Sequence, residues 1–237
     1  MAKTNLNKRH IPSFIKLMVV WGSLTVIGCT QWRIAKVPQP PAGEIPVIHT
    51  IAIMPFQTIP YQKTKKGKSV SCPICQALFR SGEVAPNAPE KLTHLFFQKL
   101  NSSKVYTILP IGRVRGVLSK SLQDDLKASD FKMAIQVGEE LDADAVLVGF
   151  IFRYQKREGY AYSIKRPASV AFEVHLISVK ESRSVWKGSF DETQISLSEN
   201  LLKLSAFLKR RSRWLTADEL AEDGVEEVLK GFPNLGR

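Results

Sequence analysis

The sequence predicts a single α/β domain, in which helices pack on a mixed β-sheet as a sandwich, after a cleaved signal and a proline-rich tether. Three observations predict this fold. Short β-rich runs alternate with segments of helical apolar spacing. Residues 145–152 are continuously apolar, as in a strand covered on both faces. Two further strand-like runs follow through short polar turns, which is typical of an antiparallel meander.

The first half of the domain, which we place at residues 47–237, contains two predicted strands and one helix. A strand at 48–56 is mostly apolar and is stopped by Pro55. A helix begins near Pro89, a favourable first-turn residue. The core face of this helix carries apolar residues at spacings of three and four: Leu92, Leu95, Phe96 and Leu100. Residues 105–109 form the second strand. Residues 57–88, between the first strand and this helix, have little periodicity, which predicts an irregular loop insertion that is either functional or mobile.

The second half continues with alternating helices and strands. The predicted helices are 111–119, 130–141, 201–208 and 217–230, and the predicted strands are 145–152, 168–179 and 184–194. The last helix begins with a capping box, since Glu219 follows Thr216 by three residues. Asp142 and Asp144 precede a strand, and aspartate in this position favours a turn over acid–base chemistry. This order of elements predicts one layered domain without repeats.

The N-terminus has the pattern of a secretory signal. Basic residues without any acidic one precede an apolar run at 17–27, which ends in Gly28 and Cys29. The run is too short to span a bilayer, which needs about 20 residues. Val26-Ile27-Gly28-Cys29 resembles the lipobox of bacterial lipoproteins. The resemblance implies that cleavage between Gly28 and Cys29 leaves Cys29 as a lipidated N-terminus.

The residues after Cys29 predict how the domain is held. Residues 29–46 are proline-rich and are typical of a semi-rigid tether. Thr30 stands where aspartate would favour the inner membrane, so we expect the outer membrane, with the domain facing the periplasm. Removing residues 1–28 takes away four basic and no acidic residues, and the formal charge falls from +12 to +8.

The remaining positive charge favours a membrane surface or cell-wall polymer as partner, because an exported protein rarely meets nucleic acid. The densest basic segment is a candidate partner or membrane contact: Lys209, Arg210, Arg211, Arg213 and Trp214. The alternative is a role within the fold, because the positive residues of this segment would also stabilise the C-terminus of the helix predicted before it. For Trp214, a partner anchor and a staple of the last helix are equally compatible with the sequence.

Cys72-Pro73-Ile74-Cys75 is the strongest local motif of the domain. In an oxidising compartment the pair favours a disulfide that locks the loop. Zinc would need two further ligands, for which His49 and His94 are available; a redox pair or free thiols are the remaining alternatives. His175 is expected to be a hydrogen-bonded structural histidine. We expect no catalytic residue, no cofactor and no metal.

Several stretches together resemble the CsgG/LpoB-like group of bacterial envelope lipoproteins, whose domain is similar to the N-terminal domain of TolB. The matching stretches are 53–56, 92–108, 138–149 and 184–188. The resemblance implies a non-enzymatic accessory protein that binds another envelope protein, assisting a secretion or transport assembly or regulating cell-wall synthesis. An alternative is an oligomeric secretion-pore subunit. Residues 57–88 lack the in-and-out alternation that a pore-forming hairpin needs over ~10 residues.

Overall fold

A mixed β-sheet forms the centre of the domain and is covered on both faces. A computed structural model of the chain describes residues 46–60, 69–160, 164–194 and 214–235. Its elements, in chain order, are β1 (Thr50–Ile53), β2 (Gln57–Thr58), β3 (Ser69–Ser71), β4 (Leu78–Arg80), α1 (Ala88–Ser103), β5 (Thr107–Ile108), α2 (Ile111–Asp124), α3 (Asp130–Leu141), β6 (Ala145–Gln155), β7 (Glu158–Gly159), β8 (Ile164–Arg166), β9 (Ser169–Ser178), β10 (Arg183–Thr193) and α4 (Ala217–Leu229).

The strand order of the sheet is β10-β9-β6-β1-β5, and the short strand β2 also pairs with β6. Strand β1 is parallel to both β5 and β6, whereas β6, β9 and β10 are antiparallel neighbours. The predicted α/β fold with a mixed sheet is therefore confirmed. The predicted meander is β6, β9 and β10, with the two-stranded hairpin β7–β8 inserted after β6.

Two helical layers cover the two faces of the sheet. On one face α1 and α4 pack through Leu92, Phe96 and Leu220 against even-numbered residues of β9 such as Phe172. On the other face α2 and α3 contribute apolar residues such as Val137. Side chains alternate between faces along a strand, so each buried strand supplies both cores. The sheet therefore has no face exposed to water along β9, whose residues are all buried.

Phe56, three residues after the end of β1, packs against α1 and β6. Its ring stacks on Phe96 of α1 with centroids 5.2 Å apart, and its backbone N–H donates to Thr93 Oγ1 at 3.0 Å. The same ring lies over Gly149 of β6, where an added Cβ would meet the Phe56 Cε1 atom at 2.3 Å. Only glycine leaves room for the ring at this point.

Asp144 forms the turn that the sequence predicts between α3 and β6. Its Oδ2 atom accepts hydrogen bonds from the backbone N–H groups of His49 and Thr50, both at 2.8 Å. Asp142 ends α3 in the left-handed conformation, with φ of 55°. Both aspartates thus have structural roles, because one ends the helix and the other holds the start of β1 beside β6.

The capping box of the last helix is confirmed, since Thr216 Oγ1 accepts from the Glu219 N–H and the Glu219 carboxylate accepts from the Thr216 N–H. Helix α2 extends further than predicted, to Asp124, and β5 is shorter than predicted. The helix predicted at 201–208 lies outside the described residues. Within the described part of the chain, no helix is both long and apolar enough to cross a membrane.

The described parts of the segment 57–88, residues 57–60 and 69–88, are more regular than the sequence predicted. After β2, strands β3 and β4 form an antiparallel hairpin, and residues 82–85 then run beside β6, where the Gly82 N–H donates to the Phe152 carbonyl at 3.0 Å. Phe79 of the hairpin stacks on Phe152, with centroids 4.0 Å apart. Sequence periodicity missed the hairpin because each strand has only three residues.

We predict that Gly149→Ala lowers the free energy of unfolding by about 1–3 kcal/mol, because the new methyl group must displace the Phe56 ring. The control is Gly116→Ala in α2, where an added Cβ meets nothing within 4 Å. That change should raise stability by about 0.5–1 kcal/mol through helix propensity. Urea unfolding of the two variants measures both effects, and equal effects would contradict the packing of Phe56 on Gly149.

Candidate functional site

A tight turn at the tip of the β3–β4 hairpin carries the two cysteines. Cys72 follows β3, and its N–H donates to the Ala77 carbonyl at 2.8 Å. The Gln76 N–H donates back to the Cys72 carbonyl at 3.0 Å, and Gln76 adopts the left-handed conformation with φ of 62°. These bonds close a turn over residues 73–76, so both cysteine side chains come from one rigid structure.

Strand β9 supplies two polar side chains that face this turn. Glu173 and His175 are two residues apart, so the period of a strand places them on the same face. Each is only 1% exposed. Their strand neighbours on β6 are Phe150 and Val148, whose buried side chains belong to the core under α2 and α3. The pair therefore lies inside an apolar layer and depends on internal partners.

The four side chains meet at one point. Cys72 Sγ lies 3.3 Å from His175 Nε2, and Cys75 Sγ lies 3.2 Å from Glu173 Oε2. The distance from His175 Nε2 to Glu173 Oε2 is also 3.3 Å. One atom from each side chain lies within 4.8 Å of all the others. We call these four residues, Cys72, Cys75, Glu173 and His175, the Cys–Glu–His cluster.

Burial controls the electrostatics of the cluster. It raises the pKa of the Cys72 thiol far above its usual range, and the neighbouring Glu173 carboxylate raises it further. Burial likewise raises the pKa of Cys75. Burial alone would raise the pKa of Glu173, but hydrogen bonds with His175 and Cys72 outweigh it, and the pKa is lowered. Without a bound cation, the cluster therefore holds protonated thiols beside an ionised carboxylate.

The cluster is poorly suited to nucleophilic catalysis. A catalytic cysteine needs an exposed thiolate with a lowered pKa, whereas Cys72 is 0% exposed and its pKa is raised. Thiolates, a carboxylate and an imidazole are, however, all ligands of transition metals. Binding of a metal ion is the chemistry that this set of donors can perform.

The structure brings together some of the predicted site residues and separates others. Cys72 and Cys75 are free cysteines in this structure, and the disulfide between them stays a prediction. His49 and His94, the imidazoles considered for zinc, lie elsewhere. The N–H of His49 contacts Asp144, and His94 lies on α1 near Glu90 at 3.9 Å. The partners of the cysteines are Glu173 and His175, which the sequence did not single out as a pair.

Other predicted site residues fall largely outside the described ranges. Gly28, Cys29, Lys209, Arg210, Arg211 and Arg213 all lie among residues that the structure does not describe. Trp214 is half-buried, and its carbonyl accepts a hydrogen bond from Arg157. The roles predicted for these residues remain predictions.

Arg153 fastens the hairpin strand β4 to the sheet. This buried arginine of β6 donates to the Arg80 carbonyl at 2.6 Å and to Asp191 Oδ1 of β10 at 2.5 Å. It also donates to the Ser169 hydroxyl of β9. One side chain thus joins three strands of the main sheet and the hairpin that carries Cys72.

An open groove of about 520 Å³ lies between α1 and α4. Its polar walls contact each other: Lys91 pairs with Asp218, and the Tyr154 hydroxyl donates to Asp218 at 2.7 Å. Burial would raise the pKa of Asp218, but these two hydrogen bonds outweigh it and the pKa is lowered. The groove is therefore a junction of two helices that Lys91 and Asp218 join by an ion pair.

We predict that Asp191→Ala lowers the free energy of unfolding by about 2–4 kcal/mol, because it leaves the buried Arg153 guanidinium without its carboxylate. Glu140→Ala is the matched control, since Glu140 pairs with Lys120 at the surface and such pairs contribute little, roughly 0–1 kcal/mol. Chemical denaturation distinguishes the two. A loss for Asp191→Ala no larger than the control would show that Arg153 does not need this partner.

No family model matches the chain, and no curated protein matches its sequence. Solved structures that are similar include the PelC dodecamer from Paraburkholderia phytofirmans, at 13% identity and a TM-score of 0.42 over 77% of this chain and 85% of that one. The lipoprotein GNA1162 from Neisseria meningitidis is similar at 15% identity and a TM-score of 0.40, over 69% of this chain and 96% of that one.

The C-terminal domain of LpoB from Salmonella enterica is similar at 13% identity and a TM-score of 0.37, over 65% of this chain and 88% of that one. An LpoB domain is thus among the structures similar to this chain, whereas the resemblance to CsgG and TolB stays a prediction. Identities and TM-scores this low do not assign this chain to the family of any of these proteins, nor to their functions.

Proposed function

We propose that the chain is a lipid-anchored accessory protein of a bacterial cell envelope, whose α/β domain binds another envelope protein. The observation that carries the proposal is Val26-Ile27-Gly28-Cys29 at the end of a charged and then apolar leader. In this proposal Cys29 carries the lipid at the outer membrane, and the domain faces the periplasm. The partner belongs to a secretion or transport assembly or to cell-wall synthesis.

The length of the tether supports this arrangement. Residues 29–46 are rich in proline, and a proline-rich chain, when extended, covers about 3.1 Å per residue, or roughly 55 Å for a segment of this length. The folded part begins directly afterwards, since Ile48 is already buried and β1 starts at Thr50. A tether of this reach lets the domain meet a partner beyond the lipid head-groups.

The β3–β4 hairpin supports the proposed binding role. Leu78 on β4 is 74% exposed, while its neighbour Phe79 is buried against Phe152. Arg153 and Phe152 hold the inner side of the hairpin, so Leu78 projects from a rigid surface. A rigid exposed leucine loses little entropy on binding, which makes the segment 57–88 the surface that we propose for the partner.

We propose binding rather than catalysis because the Cys72–His175 contact is closed to substrate. Both residues are at most 1% exposed, and burial keeps the thiol protonated. A substrate would have to open the hairpin before it could reach the sulfur.

We predict that the lipid is attached to Cys29 and to neither of the other two cysteines. Cys29→Ala should abolish incorporation of labelled fatty acid and release the protein from the membrane fraction, because a single thioether carries the anchor. Cys75→Ala is the control, and it should keep both label and membrane attachment. Label retained by Cys29→Ala would contradict lipidation at Cys29. Fractionation on a density gradient then shows whether the wild-type protein lies in the outer or the inner membrane.

We predict that a photo-crosslinking amino acid at Leu78 traps a discrete envelope protein in living cells. The control is the same amino acid at Leu126, which is 84% exposed in the connection between α2 and α3. A product seen at both positions, or at neither, would contradict a partner surface on the hairpin. Chain-to-chain products at Leu78, together with a ring-sized mass by light scattering in detergent, would favour the secretion-pore alternative.

A further inference from the structure

We propose that the Cys–Glu–His cluster binds a structural Zn²⁺ ion that fastens the β3–β4 hairpin to strand β9. The ligands are Cys72 Sγ, Cys75 Sγ, Glu173 Oε2 and His175 Nε2, two from the hairpin turn and two from the strand. This site does not depend on lipid attachment or on a partner. Its failure and that of the proposed function are therefore separate results.

The distances between donor atoms fit a tetrahedral zinc site. Zinc lies about 2.3 Å from sulfur and about 2.0–2.2 Å from nitrogen or oxygen, so neighbouring ligand atoms in a tetrahedron are separated by roughly 3.3–3.8 Å. In the structure, Cys72 to His175 and His175 to Glu173 are each 3.3 Å apart, at the lower end of this range, and Cys75 to Glu173 is slightly shorter, at 3.2 Å. All four atoms lie within 4.8 Å of one another. Three edges are thus close to the lengths that a tetrahedron requires.

The donor types select zinc over the alkaline-earth ions. Magnesium and calcium prefer sets of oxygen ligands, whereas thiolate and imidazole ligands suit zinc. Three of these four donors are sulfur or nitrogen. In the bound state two thiolates and the Glu173 carboxylate would carry three negative charges, and the divalent ion would offset two of them inside the apolar layer.

The hairpin turn holds both sulfurs near one point, since the Cys72 N–H donates to the Ala77 carbonyl at 2.8 Å and the Gln76 N–H donates to the Cys72 carbonyl at 3.0 Å. Metal binding would require both thiols to lose their protons. On strand β9, His175 Nδ1 lies 3.5 Å from the Ser184 hydroxyl. A hydrogen-bond partner on the second ring nitrogen commonly orients an imidazole that binds metal through the first.

The site is structural rather than catalytic. Four protein ligands complete the tetrahedron, whereas catalytic zinc keeps one position for water. Cys72, Glu173 and His175 are at most 1% exposed, so substrate has no access. The ion instead joins two segments 103 residues apart in sequence, and it holds the hairpin that presents Leu78.

The first test is the metal content of the full lipidated chain, purified in detergent without chelator and measured by elemental analysis and native mass spectrometry. We expect about one zinc per chain. Replacement by cobalt should give thiolate-to-metal charge-transfer absorption, which Cys29 cannot produce once its sulfur carries the lipid. Cys75→Ser and His175→Ala should each lower the retained zinc at least about tenfold.

Two histidines provide matched controls. His49→Ala and His94→Ala should retain zinc at the wild-type level, because neither side chain is near the cluster. A wild-type protein that binds neither zinc nor cobalt would overturn the proposal, as would a Cys72–Cys75 disulfide recovered from unreduced cells. Equal zinc loss in His94→Ala and His175→Ala would overturn it too.

A second measurement applies if a ligand variant fails to fold. Removing the metal from the wild-type protein with a chelator should lower its Tm by at least about 5 °C and speed tryptic cleavage at Arg80 in the hairpin. Cleavage at Lys127, in the exposed connection between α2 and α3, should not change. Restoration of both properties by zinc supports the site, and a chelator without effect on either contradicts it.

Discussion

The burial of strand β9 is the constraint on which the rest of the structure depends. All ten of its residues are buried, because α1 and α4 cover one face of the sheet while α2, α3 and the β3–β4 hairpin cover the other. A strand in this position is expected to be wholly apolar, yet β9 contains four buried polar residues, Ser169, Glu173, His175 and Ser178. Every one of these polar groups needs a partner inside the protein, since unpaired polar groups are costly in an apolar layer.

The β3–β4 hairpin meets that requirement for Glu173 and His175, which its cysteines contact. Arg153 of β6 links the hairpin to a third polar residue, because it donates both to the Arg80 carbonyl and to the Ser169 hydroxyl. The Ser178 hydroxyl accepts from the Glu181 N–H instead. A hairpin with two three-residue strands is too small to be stable alone, so its position depends on the same contacts that it provides.

This dependence connects the cluster to the proposed binding role. The inner side of the hairpin is held by Phe152, Arg153 and the residues of β9, whereas Leu78 faces outwards. Cys72 and Cys75 thus contribute to the surface indirectly, because they determine where β4 lies. Loss of the polar contacts beneath the hairpin would remove the support of the exposed leucine without altering the helices on the opposite face.

The sequence by itself determined the elements whose signal is local: helical spacing in α1 and α3, the apolar run of β6, the capping box at Thr216, and the lipobox-like Val26-Ile27-Gly28-Cys29. Such patterns depend on neighbours within a few residues, so they can be recognised in the sequence before the fold is known. The partners of Cys72 were decided only by tertiary structure. Glu173 and His175 lie about a hundred residues away, and the alternation that puts them on one face does not say which segment covers that face.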